Sequence, residues 1–165
     1  MTDQALPGAT PDAAQQPSLQ IEKLYVKDLS LEVPNAPQVF TQQVQPEVEV
    51  QINTTARQFA EGYFDVAVAA TVTARAGEHT LFLVEAVQGG IFSLRNVPAD
   101  QLEPLLGIAC PQILFPYLRE VISDLVVRAG FPPVLLSPVS FEALYMQRAQ
   151  QAQQQGAGPQ IEIAR

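Results

Sequence analysis

From Tyr63 to Ala76 the chain reads YFDVAVAATVTARA, without a proline and with Phe64, Val66, Val68, Ala70, Val72 and Ala74 at every second position. A period of two over that length fits a strand buried on one face and fits no helix. Glu47 to Ala56 repeats the pattern, with Val48, Val50 and Ile52 pointing inward and Glu47, Glu49, Gln51 and Asn53 outward. A third run, Thr80 to Leu94, follows across RAGEHT, a tight turn containing Gly77, which makes it the hairpin partner of Tyr63–Ala76. The middle of this run is apolar on both faces, so it is expected to be covered on both, the second cover being another subunit. Gly89-Gly90 within it reads as a bulge or a close backbone approach rather than a phosphate loop.

A fourth strand spans Leu19 to Val33. Simple alternation places Asp28, Ser30 and Glu32 with Leu24 and Val26 on one face, and Tyr25, Leu29, Leu31 and Val33 on the other. The prolines of PNAPQVFTQQVQP, Pro34 to Pro46, forbid a central strand, leaving an extended crossover that returns to the sheet. After Pro98 the period turns helical, through Leu102, Leu105, Leu106 and Ile113 to Leu118, Val121, Ile122 and Leu125, closed by Gly130. Pro104, Pro111 and Pro116 predict a kink or interruption near Cys110-Pro111. Ser140 caps a last helix, FEALYMQRAQQAQQQ. Strands first and helices second define an α+β fold: a four-stranded antiparallel sheet packed with a long kinked helix and a C-terminal helix. One domain, 19–151, is expected between a Pro/Gln/Ala-rich N-terminal tail, 1–18, and a flexible C-terminal tail, 152–165.

The chain is 47% apolar but only 16% charged, where a surface ordinarily needs about a quarter of residues charged. Apolar surface must therefore be shared between copies or kept for a partner. The net charge of −8 argues against nucleic acid as that partner. Cys110 is the only cysteine, so no intrachain disulfide forms and a reducing compartment is expected. The first 18 residues lack the basic and apolar regions of a signal peptide, and no run reads as a membrane span. The expected location is cytoplasmic, without membrane insertion.

Little in the sequence supports catalysis. His79 is the single histidine and sits in the hairpin turn; Ser93, Ser123, Ser137 and Ser140 lie in unremarkable contexts. One His and one Cys cannot make an N/S metal site within a chain, and no nucleotide-binding glycine motif is present. Cys110 before Pro111 reads as a buried structural residue. No catalytic residue, cofactor or metal ligand is assigned.

The positive features belong to binding. AGFPPVLLSPVSF, Ala129 to Phe141, is uncharged and stiffened by proline; Val39, Phe40 and Val44 lie on the crossover, and Phe141, Leu144 and Tyr145 form an i, i+3, i+4 stripe on the last helix. That stripe is either core or one wall of a groove whose other wall is the loop. Asp28 and Glu32 share a strand face about 13 Å apart. Glu85, on one face with Leu83, calls for a partner or for a guard against edge pairing. A scaffold or carrier for a compact hydrophobic ligand would use the same groove.

YVKDLSLEVPNAPQVF, QGGIFSL and CPQILFPYLREVISDLVVRAGFPPVLLSPVSFEALYMQ, in this order with the strand pattern between them, resemble the SecB family of protein-export chaperones from Ile21 to Gln151. The resemblance implies an ATP-independent chaperone, assembled as a dimer of dimers, that holds unfolded preproteins in the cytosol and passes them to the motor ATPase SecA. It implies that Asp28, Glu32, Leu83 and Glu85 form an acidic sheet surface for a basic, zinc-bearing segment of SecA, which favours the partner role for Glu85. It places Val84, Ala86 and Gln88, on the opposite strand face, at the tetramer interface. It makes Val39, Phe40, Val44, Phe131, Phe141, Leu144 and Tyr145 the candidates for client binding.

Overall fold

A computed structural model describes residues 16–154 and 162–163. The elements are β1 (Ser18–Glu32), a 3-10 turn (Gln38–Thr41), β2 (Glu47–Ala60), β3 (Tyr63–Ala76), β4 (His79–Arg95), α1 (Ala99–Pro104), a π-helical turn (Leu105–Ala109), α2 (Cys110–Arg128), α3 (Phe141–Gln154) and the two-residue β5 (Glu162–Ile163). The sheet order is β1-β4-β3-β2-β5. The four long strands pair antiparallel and β5 lies parallel to β2. The expected α+β architecture is present, and the helix irregularity falls just before Cys110-Pro111. Two features differ from a featureless C-terminal tail: α3 runs on to Gln154, and Glu162–Ile163 adds a strand. Of the two tails read from sequence, residues 1–15, 155–161 and 164–165 lie outside the described residues.

Gly77 (φ 59°) and Gly62 (φ 72°) occupy the left-handed region that tight hairpins require, one joining β3 to β4 and the other β2 to β3. β2 continues four residues beyond the apolar alternation. Arg57 and Gln58 still pair with Asp65 and Phe64, and a register shift at Phe59 lets Ala60 meet Tyr63.

Simple alternation misassigns the faces of β1. Its register against β4 slips between Ile21 and Lys23 and again between Val26 and Asp28. Each extra residue in a bulge reverses the side on which the following residues project. Leu19, Ile21, Leu24, Val26, Leu29 and Leu31 therefore all lie on one face, beside Leu94, Phe92, Gly90, Gln88, Ala86 and Val84 of β4. Asp28, Ser30 and Glu32 share the other face with Tyr25, not with Leu24 and Val26. The two bulges turn a strand with broken alternation into an amphipathic one.

One helical stripe closes the core. Cys110, Leu114, Leu118, Ile122 and Val126, each four residues apart, are fully buried against the even-numbered residues of β3 and β4. The paired glycines are close approaches. A Cβ on Gly90 would lie 2.8 Å from Leu114, and one on Gly89 would lie 2.5 Å from the Tyr25 ring on the opposite face. α2 ends in a paired-hydrogen-bond motif: the Phe131 N–H donates to the Val126 carbonyl and the Gly130 N–H to that of Val127, with Gly130 at φ 91°. This termination throws Phe131 back over the end of the sheet.

Gly90→Val is expected to overpack the contact with Leu114 and to cost about 1–3 kcal/mol. Urea unfolding at constant slope checks this; an unchanged midpoint would mean that the helix does not sit where the contact places it.

Candidate functional site

Strand register brings the four acidic-surface residues together on the sheet face away from the helices. Glu32 pairs with Leu83, Ser30 with Glu85 and Asp28 with Val87. Asp28, Glu32 and Glu85 are exposed. Sequence alternation alone missed Glu49, which pairs with Thr73 and so lies in the row Glu32–Leu83–Thr73–Glu49 across four strands. Only pairing register, which a single strand does not reveal, shows that Glu49 extends this acidic end. Between the charges lie Ala69, Thr71 and Thr73, small side chains that leave the surface flat.

The other end of this face carries Lys27 and Arg57, while Arg75 pairs with Glu47 at the acidic end. The Tyr25 hydroxyl donates to Asp65 Oδ1, Lys27 Nζ donates to Oδ2 at 3.0 Å, and Arg57 stands 3.9 Å away. Burial alone would raise the Asp65 pKa, but the hydrogen bonds from Tyr25 and Lys27 and the charges of Lys27 and Arg57 together hold it below the usual carboxylate value. Burial, and then the bond to Asp65, pushes the Tyr25 phenol up to about 12. The face is thus acidic at one end, and at the other two cations, Lys27 and Arg57, share the single carboxylate of Asp65.

On the helix side, the crossover and the end of α2 build an aromatic cluster. Phe131 lies 5.1 Å from Phe40 and 4.9 Å from Phe82, ring centre to ring centre. The crossover is not fully extended. Its 3-10 turn buries Val39 and leaves Phe40 51% exposed, while Asn35 Nδ2 ties it to the Thr80 carbonyl. Asn35, Gln38, Val39, Gln42, His79 and Leu81 line an adjoining cleft of about 230 Å³, an apolar floor rimmed by side-chain amides. Val44 is exposed nearby in sequence. Val48 and Val50 are on the inward face as expected, yet are 45% and 40% exposed because no helix covers them. Beyond Phe131 the proline-rich stretch alternates Leu135, 76% exposed, with buried Leu136.

Phe141, Leu144 and Tyr145 belong to a second cluster. Phe141 is buried edge-on against Phe115, so the chain itself uses that anchor. The Tyr145 ring lies over Gly107 in the π turn, where a Cβ would come within 2.6 Å. Burial, followed by the charge of Glu103 and a hydrogen bond to it, raises the Tyr145 pKa. Ser140 caps α3 as expected, its hydroxyl accepting from the Ala143 N–H at 3.2 Å. Arg148 fastens α3 to β2 by donating to Asn53 Oδ1 and to Thr54. Leu144 and Tyr145 remain half-buried.

Val84, Ala86 and Gln88 do lie opposite Glu85, but that face is filled by the chain's own helix: they are 0%, 1% and 4% exposed. Direct contact with a neighbouring subunit is closed to them. α2 carries apolar surface of its own on its outer side, where Tyr117 and Val127 are half-exposed. Against the sequence expectation, the run Ala99–Arg128 is long and apolar enough to cross a membrane by length and composition, with mean hydropathy 1.3. Here it packs on a sheet, and only 39% of its most apolar window is buried within one chain. Burial pushes the Cys110 thiol up to about 12, the position of a structural residue. Among the described residues no three His, Cys, Asp or Glu side chains gather as a metal site.

An α+β chain with open aromatic surface on one side of its sheet and an acidic shelf on the other is a polypeptide-binding protein in design. The chain belongs to the SecB family: the family described as "Preprotein translocase subunit SecB" matches residues 12–152. It is 60% identical over 139 residues to the protein-export protein SecB of Chromobacterium violaceum, covering 84% of this chain and 93% of that one. It is 56% identical over 149 residues to that of Dechloromonas aromatica, covering 90% and 97%. A SecB-like chaperone of Mycobacterium tuberculosis, solved with a peptide from the antitoxin HigA1, shares the fold at a TM-score of 0.62 and 16% identity, covering 73% of this chain and 90% of that one. The chain is a protein-export chaperone and not an enzyme.

Because the Asp65 pKa is lowered on folding, its carboxylate stabilises the fold above the ordinary carboxylate range, and that stabilisation is lost as pH falls through the lowered value. Asp65→Asn is therefore expected to be less stable than the parent at pH 7, with the gap closing below about pH 4. Urea midpoints across this range test it; a gap independent of pH would assign the loss to packing.

Proposed function

We propose that the protein holds extended, unfolded preproteins in the cytosol without nucleotide and hands them to SecA, working as a homotetramer. The observation that carries this reading is the open aromatic surface of Phe40 and Phe131, backed by buried Phe82, together with exposed Val44, Val48 and Val50 and, beside α2, Leu135. An unfolded chain offers apolar side chains and unpaired backbone. The surface offers apolar rings, and the side-chain amides of Asn35, Gln38 and Gln42 stand beside them. Val39 and Phe141 serve as the buried floor, and Leu144 and Tyr145 extend the surface along α3. Each exposed anchor contributes on the order of 1.5–3 kcal/mol before ordering costs. One site is weak, whereas several sites on a multimer acting on one long client bind tightly and release in steps.

The acidic shelf of Asp28, Glu32, Glu85 and Glu49 around Leu83 is the SecA surface. It lies on the opposite face, so a basic segment docks without displacing cargo. Assembly into a dimer of dimers buries the outer face of α2, including Tyr117 and Val127, while Val84, Ala86 and Gln88 act indirectly by fixing the sheet beneath that helix. A carrier for a compact hydrophobic ligand fits less well: the cleft beside the crossover, about 230 Å³, falls below the roughly 300–1,000 Å³ of drug-sized ligand sites, and the groove of about 370 Å³ beside α2 is shallow and lined by Arg119, Glu120 and Asp124.

Two variant pairs separate the surfaces. Phe40→Ser with Leu135→Ser is expected to speed client release about tenfold or more, the effect of losing roughly 1.4 kcal/mol, with SecA recruitment intact. Asp28→Lys with Glu85→Lys is expected to abolish recruitment with client release unchanged. Stopped-flow release of a slow-folding protein and co-sedimentation with SecA read the two. Loss of both activities in each pair would reject the division between faces.

A further inference from the structure

The outer edge of β2 is occupied by the chain's own C-terminal residues. Glu162 and Ile163 pair in parallel with Arg57 and Gln58, making β5 the last strand of the sheet. In sequence, Ile161-Glu162-Ile163 alternates apolar and acidic residues and follows Gly156-Ala157-Gly158-Pro159-Gln160. The register sets an acidic residue, Glu162, beside Arg57. α3 is tied to β2 at Asn53 and Thr54 through Arg148 and ends at Gln154, and the seven residues 155–161 can span up to about 23 Å, enough to return along the same strand. β2 itself is 14 residues long, contains no proline, and carries exposed Val48, Val50 and Phe59. Two residues of β5 pair with only a small part of that edge. A long edge without proline is a surface that other strands join.

We propose that the β2 edge at Arg57–Gln58 is a strand-accepting surface whose resting occupant is the C-terminal Glu162–Ile163 strand, which an extended client segment must displace. Main-chain pairing accepts any sequence that can extend, and β-branched residues flanking a polar one favour it. The edge is distinct from the aromatic surface and adds backbone recognition to it. The tail then acts as an internal competitor: it shields the edge from other copies of the chain and yields to a long client that is already held elsewhere. The displacement step rests on the chaperone reading; the docking of the tail does not.

Cysteine trapping tests both parts in the full chain, where Cys110 is buried and does not compete. Gln58→Cys with Ile163→Cys is expected to form an intrachain disulfide under mild oxidation, whereas Gln51→Cys with Ile163→Cys is not. Equal trapping by both pairs, or disulfide-linked dimers in place of intrachain bonds, would overturn the docking. An unfolded, slow-folding protein at about five times its Kd is expected to slow trapping in the first of these double variants about sixfold by mass action. Unchanged trapping while that client is bound would overturn the displacement. Failure of the client to bind at all, with selective trapping preserved, would count against the chaperone reading and leave the docking of the tail upheld. Amide exchange supplies a second readout: a chain ending at Gln154 is expected to exchange the edge amides near Gln58 faster than the full chain, and equal rates would overturn the docking.

Discussion

A helix is about 10–12 Å wide and neighbouring strands lie about 4.8 Å apart, so one helix covers two strands. α2 lies on β3 and β4, where Leu114, Leu118, Ile122 and Val126 meet Val66, Val68, Val72 and Val84. The helix-side faces of the flanking strands are covered only in part, at Leu19, Leu24, Leu31, Ile52 and Ala56. Ile21, Val26 and Leu29 of β1 and Val48 and Val50 of β2 point to the same side as the core and remain 40–48% exposed. A subunit built this way cannot hide its own apolar surface. The low share of charged residues is the compositional trace of the same constraint. The open surface proposed for clients follows from a core that is narrower than its sheet.

The two faces of the sheet differ in character. On the helix side, Gly130 ends α2 and turns Phe131 onto Phe82 and Phe40, so the aromatic surface depends on a helix terminus rather than on a dedicated pocket. The opposite side is kept flat by small residues and is charged at its ends. Gly89 lets Tyr25 lie down against the sheet and reach Asp65, which is shared with Lys27 and Arg57, while the acidic residues Asp28, Glu32, Glu85 and Glu49 gather at the other end. In the proposed reading, shape on one face and charge on the other let an apolar client and a basic partner be held at once.

Much of this was legible in the residues. Period-two runs with Gly77, and the helical run closed by Gly130, define the strands and the ends of the helix because local stereochemistry decides them. The bulges of β1 were not legible: a single inserted residue leaves no mark in composition, and only pairing with β4 shows that Leu29 and Leu31 share a face with Leu24 and Val26. Burial was equally hidden. Val84 and Ala86 read as surface for a neighbour, yet the chain's own α2 fills that side, while Val48 and Val50 read as core and stay open. Alternation gives the side of a sheet and not what covers it. The stripe Phe141, Leu144, Tyr145 resolves into one buried anchor and two half-open residues for the same reason.

Hydrogen exchange of the protein alone and with a bound, unfolded client tests most directly whether the surface left open by α2 is where cargo sits. The account predicts slowed exchange in the crossover around Phe40 to Val44, in β2 around Val48 and Val50, and in the stretch from Phe131 to Leu136, with the amides of Asp28 to Glu32 unaffected. Protection confined to the acidic face, or absent while the client remains bound, would contradict it.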